Sequence, residues 1–420
     1  MVNQNSILDK LRRFVIANIV PIVFIIVCFL GVVYSGSSPA IILMDVISRF
    51  DRNAFLVISL IIPILAGLGL NFGIVLGAMA GQMALFIVCV MKLQGLTAVV
   101  VAALISIPLA IVFGWLTGML LNRTKGQEMI AGMILGFFAS GVYQFIFLFA
   151  LGGIIPIDAP GIMIGKSGIG VRNTIDLTNM KYALDNIWKL DIFSAIIFFG
   201  AIFLAVFVVK LLWKKDKTKK NLINIGVSAA AIIFGFAAGN MALFKQYKAL
   251  VKVPMVPFLL IALLCLLVPA FLKTKLGQDM RAVGQDMGVA SVAGINVNRT
   301  RNIAVCISTV LAALGQIIFL QNLGNMSTYN AHENVGMFSA AALLIGGASV
   351  SKATVGQAIM GTVLFHLLFN VSPMAGKNIF GSAEIGEYFR VFIAYGIIAV
   401  TLALYAWKKV MQAKEKNKIK

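Results

Sequence analysis

Residues Gly95–Leu121 read GLTAVVVAALISIPLAIVFGWLTGMLL, a continuous run without a charged residue. About 20 apolar residues are enough to cross the hydrocarbon core of a bilayer as an α-helix. Because backbone groups in lipid must be paired internally, a spanning segment is a helix or part of a closed barrel, and long continuous runs favour the helix. The whole chain of 420 residues is 60% hydrophobic and 12% charged. The sequence therefore predicts an all-α integral membrane protein.

Comparable runs recur along the chain and predict a polytopic bundle of about 10–12 transmembrane helices, including short or discontinuous ones. Phe72–Met91 and Met337–Ser349 are rich in Gly and Ala, and the second is too short to cross alone. They fit either re-entrant helices that line a cavity or helices that pack closely through small residues. The other predicted spans are Phe14–Tyr34, Ala54–Asn71, Gly95–Leu121, Glu128–Ile155, Asp191–Trp213, Leu222–Phe244, Pro254–Leu272, Asn302–Leu320, Thr354–Val371 and Arg390–Trp407.

These spans divide the chain into three predicted parts. Residues 1–53 would hold a basic N-terminal segment, a first transmembrane helix that is retained rather than cleaved, and an external connection. Residues 54–407 would form the transmembrane domain, with an external loop at 156–190 and a cytoplasmic loop at 277–301. Residues 408–420 would form a basic cytoplasmic tail.

The formal net charge of +20 is concentrated beside the apolar runs. The densest clusters are Lys10–Arg13, Lys214–Lys220 and Lys408–Lys420. Lys and Arg concentrate in cytoplasmic loops and attract anionic headgroups, so the pattern predicts a multi-pass protein of the cell (inner) membrane with cytoplasmic termini and contacts to membrane lipids. It argues against binding of nucleic acid. One connection on the predicted outer side runs against this trend, that of Lys245, Lys248 and Lys252.

Residue types that carry chemistry are sparse in this chain. Its four cysteines lie inside apolar runs without metal-ligand spacing, and its two histidines, His332 and His366, lie far apart in sequence. No nucleophile, base and orienting group form a catalytic set. We therefore expect no catalytic residue, no metal site and no cofactor bound by this chain. His366 fits either a packing histidine or a solute contact.

The segment Gly161–Ser167, GIMIGKS, has a superficial likeness to a phosphate-binding loop. That pattern needs four residues between its glycines, whereas Gly161 and Gly165 enclose three. The segment is also predicted to face away from cytoplasmic ATP, and no strong strand precedes it. The chain is therefore expected to be no enzyme and to carry no ATPase motif of its own.

Uncharged polar residues within or beside the spans are the candidates for a solute pathway. Amide side chains both donate and accept hydrogen bonds, whereas the acids that would form a proton or sodium relay are scarce in the spans. A pathway of amides and aromatics suits a neutral, hydroxyl-rich solute, although the same amides also serve interhelical hydrogen bonds. The candidate pathway residues are Asn71, Phe72, Gln82, Gln316, Gln321 and Asn322.

A polar interval interrupts the apolar runs at Gly277–Arg301, GQDMRAVGQDMGVASVAGINVNRTR. It lies on the predicted cytoplasmic side, and its middle, Ala282–Gly294, is predicted to form a short amphipathic helix. A structured, amphipathic loop on the basic side of a membrane is typical of a docking site for a partner. The apolar side of the helix would consist of Val283, Met287, Ala290 and Val292.

Arg281–Gly284, Ala290 and Ala293–Val297 carry a resemblance to a known family, and it resumes at Ile345–Ser349. The interval resembles the cytoplasmic loop of bacterial ABC-transporter permeases that import simple sugars and nucleosides, a group related to ribose and branched-chain amino-acid permeases. The likeness extends over residues 54–370 and is strongest after Gly277. The residues that it assigns to ATPase coupling are Arg281, Ala282, Val283, Gly284, Ala290, Gly294, Ile295 and Asn296.

The resemblance implies the membrane subunit of an ATP-driven importer. A second permease copy or a paralogue would complete a central pathway, and an extracytoplasmic substrate-binding (lipo)protein would deliver a simple sugar or nucleoside. Two cytoplasmic ABC ATPase subunits, which carry ATP–Mg, would grip the Gly277–Arg301 loops. Their closure would move the surrounding helices as rigid bodies.

Departures from the family pattern leave the solute open. The interval from Asn71 to Gln82 lacks the acidic residue that is usual in sugar and nucleoside permeases, and residues 157–253 are longer than in many relatives. Riboflavin or another vitamin is an alternative solute, since aromatic pathways accept flat rings. An ion-gradient secondary transporter is a further alternative that would need intramembrane acids, and a membrane enzyme is the least favoured.

Overall fold

The computed structural model describes residues 18–157, 159, 161–164, 169–213, 218–393, 395–396, 398–400 and 403. Within them, six helices are long and apolar enough to cross a membrane, or up to seven if Met255–Phe271 and Lys275–Gln285, bent by 75°, form one span. Shorter apolar helices of 10–17 residues accompany them. The chain is therefore an all-α, multi-pass membrane protein, as its apolar runs predict. The predicted basic tail and the residues before Asn18 lie outside the described residues.

The secondary structure follows the predicted spans closely in most of the chain; Gly95–Leu121, for example, becomes Gly95–Arg123. In chain order the helices are α1 (Ile19–Ser35), α2 (Pro39–Ser59), α3 (Ile61–Leu65), α4 (Ile74–Val90), α5 (Gly95–Arg123), α6 (Glu128–Phe145), α7 (Ile192–Trp213), α8 (Lys219–Asn240), α9 (Lys245–Leu250), α10 (Met255–Phe271), α11 (Lys275–Gln285), α12 (Met287–Val292), α13 (Val297–Leu323), α14 (Val335–Ile345), α15 (Val355–Phe380) and α16 (383–393). The strands are β1 (Thr174–Asp176), β2 (Lys189–Asp191), β3 (Lys252–Pro254) and β4 (Asn325–Ser327).

Helix α13 forms the centre of the bundle, where it packs against α2, α4 and α5. Its contact with α4 is close because small residues face it: a Cβ added at Gly77 would collide with the Thr309 carbonyl oxygen. At Gly81 an added Cβ would lie 2.6 Å from the carbonyl oxygen of Ala313. Small residues at a helix interface let backbones approach in this way. The Gly-rich α4 is thus a packed, central helix.

Helix α2 differs from the sequence prediction, which began a span at Ala54 and extended it to Asn71. The helix begins at Pro39. A proline is tolerated there because the N–H group that it lacks would have no partner within the first turn. The helical path ends at Leu65, shortly before Gly67, which has a φ of 77°. The first half of α2 was not predicted because four charged residues lower its hydropathy. They are Asp45, Arg49, Asp51 and Arg52.

The chain re-enters the bundle between α13 and α15. Strand β4 pairs antiparallel with β1, and residues 328–334, the re-entrant segment, then lead back to the short helix α14. Helix α14 crosses α15 so closely that a Cβ on Gly361 would collide with the carbonyl oxygen of Ala342. A capping box of Thr354 and Gln357 starts α15. The predicted span Met337–Ser349 is thus a short helix packed through small residues.

Helices α7 and α8 form a hairpin at the side of the bundle and pack mainly on each other. Only 17% of the most apolar stretch of either helix is buried, compared with 61% for α13. At the end of the hairpin, β2 pairs with β3, so that Asp191 lies opposite Lys252. This hairpin accounts for much of the long 157–253 region.

The polar interval Gly277–Arg301 contains two helices rather than the single one predicted over Ala282–Gly294. Asp286 separates them because its backbone is extended, with φ −156° and ψ 113°. Its carboxylate accepts hydrogen bonds from the N–H groups of Gly288, at 2.8 Å, and Val289, at 3.0 Å. An Asp in this position caps the helix that follows, which explains why α12 begins anew at Met287.

Candidate functional site

A cavity of about 290 Å³ opens between α2, the end of α13, β4, the re-entrant segment and α14. We call it the amide cavity. Two rings, Phe319 and Phe338, and the imidazole of His366 contribute to its lining. No carboxylate, lysine or arginine of the described residues lines it. Its polar lining consists of Asn53, Asn325, Ser327, Asn330, Asn334 and Ser339.

This lining has a definite chemical preference. Amides and hydroxyls both donate and accept hydrogen bonds, so they match the hydroxyls of a sugar or the edge of a heterocycle. Aromatic faces offer a flat apolar surface beside them. Because no acid, lysine or arginine of the described residues lines the cavity, its lining offers hydrogen bonds and ring faces rather than ion pairs. It suits a neutral polar molecule.

Buried hydrogen bonds hold the re-entrant segment that forms one wall of the cavity. Nδ1 of buried His332 lies 2.7 Å from Oε1 of Gln82, and its Nε2 lies 3.2 Å from Oγ of Ser140. Nε2 of Gln82 donates to the Ser327 carbonyl at 3.2 Å, which fixes the orientation of that amide. Because the amide oxygen can only accept, Nδ1 carries the proton. The Ser140 hydroxyl, which lies against Nε2, also donates to the Gly136 carbonyl at 3.0 Å. The wall is thus tied to α4 and to α6.

Of the predicted pathway residues, Gln82 and Gln316 lie behind this wall rather than in the cavity. Nε2 of Gln316 donates to the Ala331 carbonyl at 3.2 Å. Phe72 lines a second cavity of about 320 Å³, which reaches the other side of Asn334 and is bordered by α6. Oδ1 of Asn71 accepts from the Gly73 N–H at 3.1 Å, just before α4.

The remaining predicted pathway residues bind a loop at the end of α13. Gln321 and Asn322 donate to the carboxylate of Asp185, at 3.0 and 2.8 Å, in the segment between β1 and β2. Burial raises the pKa of the Asp185 carboxyl, although these hydrogen bonds act against the rise. The structure therefore does not bring the six predicted residues together; they occupy three places around the amide cavity.

Sequence reasoning missed the asparagines that line the cavity. A signal was present in Asn325–Asn334, NMSTYNAHEN, a polar interval between two apolar runs. The predicted pathway residues, however, are amides and a ring within or beside the predicted spans, and this interval lies between two of those spans. Asn53 was missed for a different reason: it lies on the charged part of α2, which was not predicted to be helical.

The residues assigned to coupling lie together on α11, α12 and the turn into α13. Val283 and Ala290 are buried against the bundle, and a Cβ at Gly284 would collide with the Leu65 carbonyl oxygen. Arg281 is exposed and Ala282 is half-buried. The short helices are thus anchored firmly on one side and free on the other.

The free side of α12 is apolar. Val289 is 68% exposed and Val292 is 92% exposed, whereas the sequence placed Val292 on the same side as Val283 and Ala290. Val289 and Val292 therefore give this short helix a small exposed apolar face. Beyond α12, Gly294 adopts a φ of 82°, half-buried Ile295 follows, and Asn296 caps α13 by accepting from the Arg299 N–H at 3.0 Å.

A buried ion pair joins this region to α6. Nη2 of Arg301, which is fully buried, lies 2.6 Å from Oε1 of Glu128, the first residue of α6. Nη1 of Arg301 also contacts Sδ of Met287 at 3.4 Å, at the start of α12. Breaking a buried pair by removing one partner leaves an uncompensated charge, which is strongly destabilising. Arg301 therefore ties α12, α13 and α6 into one unit.

Helix α6 links this ion pair to the wall of the amide cavity. Glu128 and Ser140 are 12 residues apart on the helix, which corresponds to about 18 Å. Ser140 is the residue whose Oγ lies 3.2 Å from Nε2 of His332 in the re-entrant segment. One end of this stretch of α6 thus contacts Arg301, and the other contacts the re-entrant segment that forms the cavity wall.

Comparison with known families gives a match over a large part of the chain. The family described as "Branched-chain amino acid transport system / permease component" matches residues 182–402, more than half of the chain. The matched region includes both short helices, the ion-pairing Arg301 and most of the amide cavity.

Individual curated proteins match shorter regions. The nucleoside ABC transporter permease protein NupC of Lactococcus lactis is 29% identical over 138 residues, 33% of this chain and 42% of the relative. The xylose transport system permease protein XylH of Haemophilus influenzae is 29% identical over 130 residues, 31% of this chain and 33% of the relative. The autoinducer 2 import system permease protein LsrC of Enterobacter sp. is 34% identical over 82 residues, which are 20% of this chain and 24% of the relative.

The chain thus spans less than half the length of these curated relatives. No solved structure matches it significantly.

Proposed function

Since the family match covers more than half of its length, the chain belongs to the family of branched-chain amino acid transport system permease components, and from this premise we propose that it is the membrane subunit of an ATP-binding-cassette importer. The observation that carries the proposal is the face of α12, anchored inward by Ala290 and exposing Val289 and Val292. Such a face suits a groove on a cytoplasmic ATPase.

The solute of this importer is a neutral, hydroxyl-rich molecule, a simple sugar or a nucleoside. Asparagines, serines and two phenylalanine rings line the amide cavity, and this chemistry supports that class. The names of the relatives, which refer to nucleosides and xylose, point the same way. Nothing in the comparisons supports riboflavin or another vitamin.

The ATPase would act on the cavity through α6. Closure of two ATP–Mg-bearing subunits would shift α11 and α12, and Arg301 would pass this shift to Glu128, because a buried ion pair of 2.6 Å resists separation. Ser140 would then displace His332 and with it the wall that carries Asn330 and Asn334. Rigid-body movement of packed helices is the usual form of such a transition.

The assembled importer would contain a second copy of this chain or a paralogue, two ATPases and an extracytoplasmic substrate-binding (lipo)protein. The chain itself would lie in the cell (inner) membrane with both termini in the cytoplasm, the side on which basic residues concentrate. ATP–Mg would be bound by the partner ATPases, and this chain would bind no cofactor and carry no ATPase motif. Of the Gly161–Ser167 segment, residues 165–167 lie outside the described residues.

Docking of the ATPase is tested by purifying the tagged chain from its native membrane. We expect an ATPase subunit to co-purify and Val292→Asp to abolish this, because a charge replaces an apolar contact. Asn298→Asp is the matched control, since it adds the same charge at an exposed position in the first turn of α13, where a negative charge is tolerated. Equal recovery of the ATPase with both variants would contradict the docking assignment.

The solute class is tested by uptake of labelled xylose, ribose and uridine into cells. Asn334→Ala and Phe338→Ala should lower uptake of the true solute at least tenfold without loss of the chain from the membrane. Uptake should stop when ATP is depleted and the ion gradient is preserved. Continued uptake under that condition would instead support a secondary transporter.

A further inference from the structure

Three lysines lie at the membrane end where basic residues are unexpected. One of them, Lys252, precedes α10. The 17-residue helix separates it by about 25 Å from Lys275, which follows α10 at the opposite end. Lys245 and Lys248 of α9 lie on the same side as Lys252. We call these three residues the α9–β3 lysines. They are at the end opposite to α11 and α12, and the proposed transport function gives them no role.

A groove of about 340 Å³ lies beside them, between the α7–α8 hairpin, α2 and α10. Its walls include Phe199 and Ala231 of the hairpin, Ile47 of α2 and Phe258 of α10. The hydroxyl of its one polar side chain, Ser228, donates to the Asn224 carbonyl of its own helix at 2.8 Å. The hydroxyl proton is thus already used, the groove offers no free side-chain donor, and its otherwise apolar lining suits a hydrocarbon.

The α9–β3 lysines and the groove meet at β3. Val253 is buried and lines the groove, and exposed Lys252 is its neighbour in the strand. Nζ of Lys252 donates to the Lys248 carbonyl at 3.1 Å, and Nζ of Lys248 donates to the Gly239 carbonyl at 3.3 Å. An ammonium has three donors, so each keeps protons for another acceptor.

Within the described residues no carboxylate lies at ion-pair distance from these lysines, since neither of the ion pairs found there involves them. The nearest candidate, Asp191, lies opposite Lys252 in the strand pair, but its Oδ2 accepts from Oγ of Ser194 at 2.7 Å. Its Oδ1 accepts from the N–H groups of Phe193 and Ser194, both at 3.2 Å. Asp191 thus caps α7 and also attracts Lys248 through space, but one carboxylate beside three lysines leaves an excess of positive charge for another partner.

The surrounding segment has the character of a membrane interface. Leu243 is 77% exposed, and Met241 and Leu250 are also exposed, in the same stretch as the lysines. Exposed apolar residues mixed with lysines suit the boundary between headgroups and acyl chains, where the apolar side chains enter the lipid and the ammonium groups stay at its surface. The partner of the lysines is therefore expected at the headgroup level.

We propose that the α9–β3 lysines and the hairpin groove bind one phospholipid with an anionic headgroup. The headgroup pairs with Lys245, Lys248 and Lys252, and an acyl chain fills the groove beside Phe199 and Ala231. Charge complementarity selects an anionic over a zwitterionic lipid, and the apolar groove selects a lipid over a soluble anion. This site is independent of the transport function.

The proposal is tested with the purified full-length chain in nanodiscs of phosphatidylcholine with or without phosphatidylglycerol. Native mass spectrometry should detect retained phosphatidylglycerol, bound at least tenfold more weakly by the Lys245→Gln, Lys248→Gln, Lys252→Gln triple variant, because that variant loses the three positive charges that attract the anionic headgroup. The matching triple Arg variant should retain the lipid. The control Lys273→Gln, Lys275→Gln, which removes charge at the opposite end of α10, should also retain it.

A second variant separates the groove from the charges. Ala231→Phe, which fills the groove and leaves every lysine in place, should lower retention of phosphatidylglycerol at least fivefold while the protein remains monodisperse. Retention that is equal for both lipids, or unchanged in the triple Gln variant or in Ala231→Phe, would overturn the proposal. It would also be overturned if the triple Gln variant lost only the capture of an extracytoplasmic binding protein, because the lysines would then serve protein docking.

Discussion

Helices α7 and α13 are both long and apolar, yet they occupy opposite environments. In α13, 61% of the most apolar stretch is buried, compared with 17% in α7. Glycines of α4 and α5 approach the backbone of α13, and its polar side chains bond to other elements, whereas α7 packs mainly on α8. Apolar content therefore identifies a span, but small residues and amides distinguish a central helix from one that faces lipid.

The largest effect expected from this contrast is at Gly77. Gly77→Leu forces a side chain into the Thr309 backbone, so we expect a loss of more than about 3 kcal/mol and no monodisperse protein. Gly226→Leu on α8 is the matched control, since no atom lies within 4 Å of its added Cβ. Size-exclusion chromatography after heating measures both. Similar melting of the two variants would show that α4 and α13 do not approach as closely as described.

A smaller but still large effect is expected at the ion pair. Arg301→Ala leaves the Glu128 carboxylate without its partner and should cost about 3–5 kcal/mol in the free energy of unfolding. Arg301→Met combined with Glu128→Gln removes both charges and should recover most of that loss. Thermal unfolding in detergent provides the measurement. If the double variant is no more stable than Arg301→Ala, the loss of stability does not come from an unpaired Glu128 carboxylate.

Next in size is the polar contact behind the cavity wall. His332→Ala leaves the Oε1 atom of Gln82 without a partner, at a cost of about 1–3 kcal/mol, whereas Oγ of Ser140 keeps its hydrogen bond to the Gly136 carbonyl. Solute uptake should fall at least tenfold while ATPase co-purification remains. On the hairpin, Ser228→Ala removes a hydroxyl bonded only to its own helix and should leave both uptake and unfolding unchanged. Full uptake by His332→Ala would remove this residue from the proposed coupling.

The smallest effect is expected when the same Ile→Leu substitution, which moves one methyl group, is made on an exposed helix and on a buried one. Ile233→Leu on α8, at a side chain that is largely exposed, should change the free energy of unfolding by less than about 0.5 kcal/mol. The same substitution at Ile317, buried in α13, should cost about 1 kcal/mol because the surrounding core has to repack. Thermal unfolding of both single variants gives the comparison. Equal shifts would mean that the two helices are packed to a similar density.

The spans could be predicted because a continuous apolar run such as Gly95–Leu121 leaves few alternatives to a helix. The prediction failed on α2, where Asp51 and Arg52 are enclosed by neighbouring helices. Their burial depends on α13 and on the β1–β2 segment, which no local pattern reveals. Hydropathy measures what a segment contains and not what later packs against it.

The sites were predictable to different degrees. The coupling residues lie in one local stretch, so their family resemblance places them together, although it could not show that Val292 faces outward. The amide cavity combines Asn53 with Asn325 and Asn334, which are far apart in the chain. Amides inside the spans, such as Gln82, were the obvious candidates, yet Gln82 supports the wall from behind. The packing of the helices, and not the residue type, decides which amides line the cavity.

The pairing of β1 with β4 sets an order for the biogenesis of the protein. Asp176 pairs with Asn325, about 150 residues later in the chain. At a synthesis rate of about 5–20 residues per second, the first strand waits roughly 10–30 seconds for its partner. Helix α1 waits still longer for α15, on which it packs. The early helices must therefore remain in the membrane, incompletely assembled, until nearly the whole chain has left the ribosome.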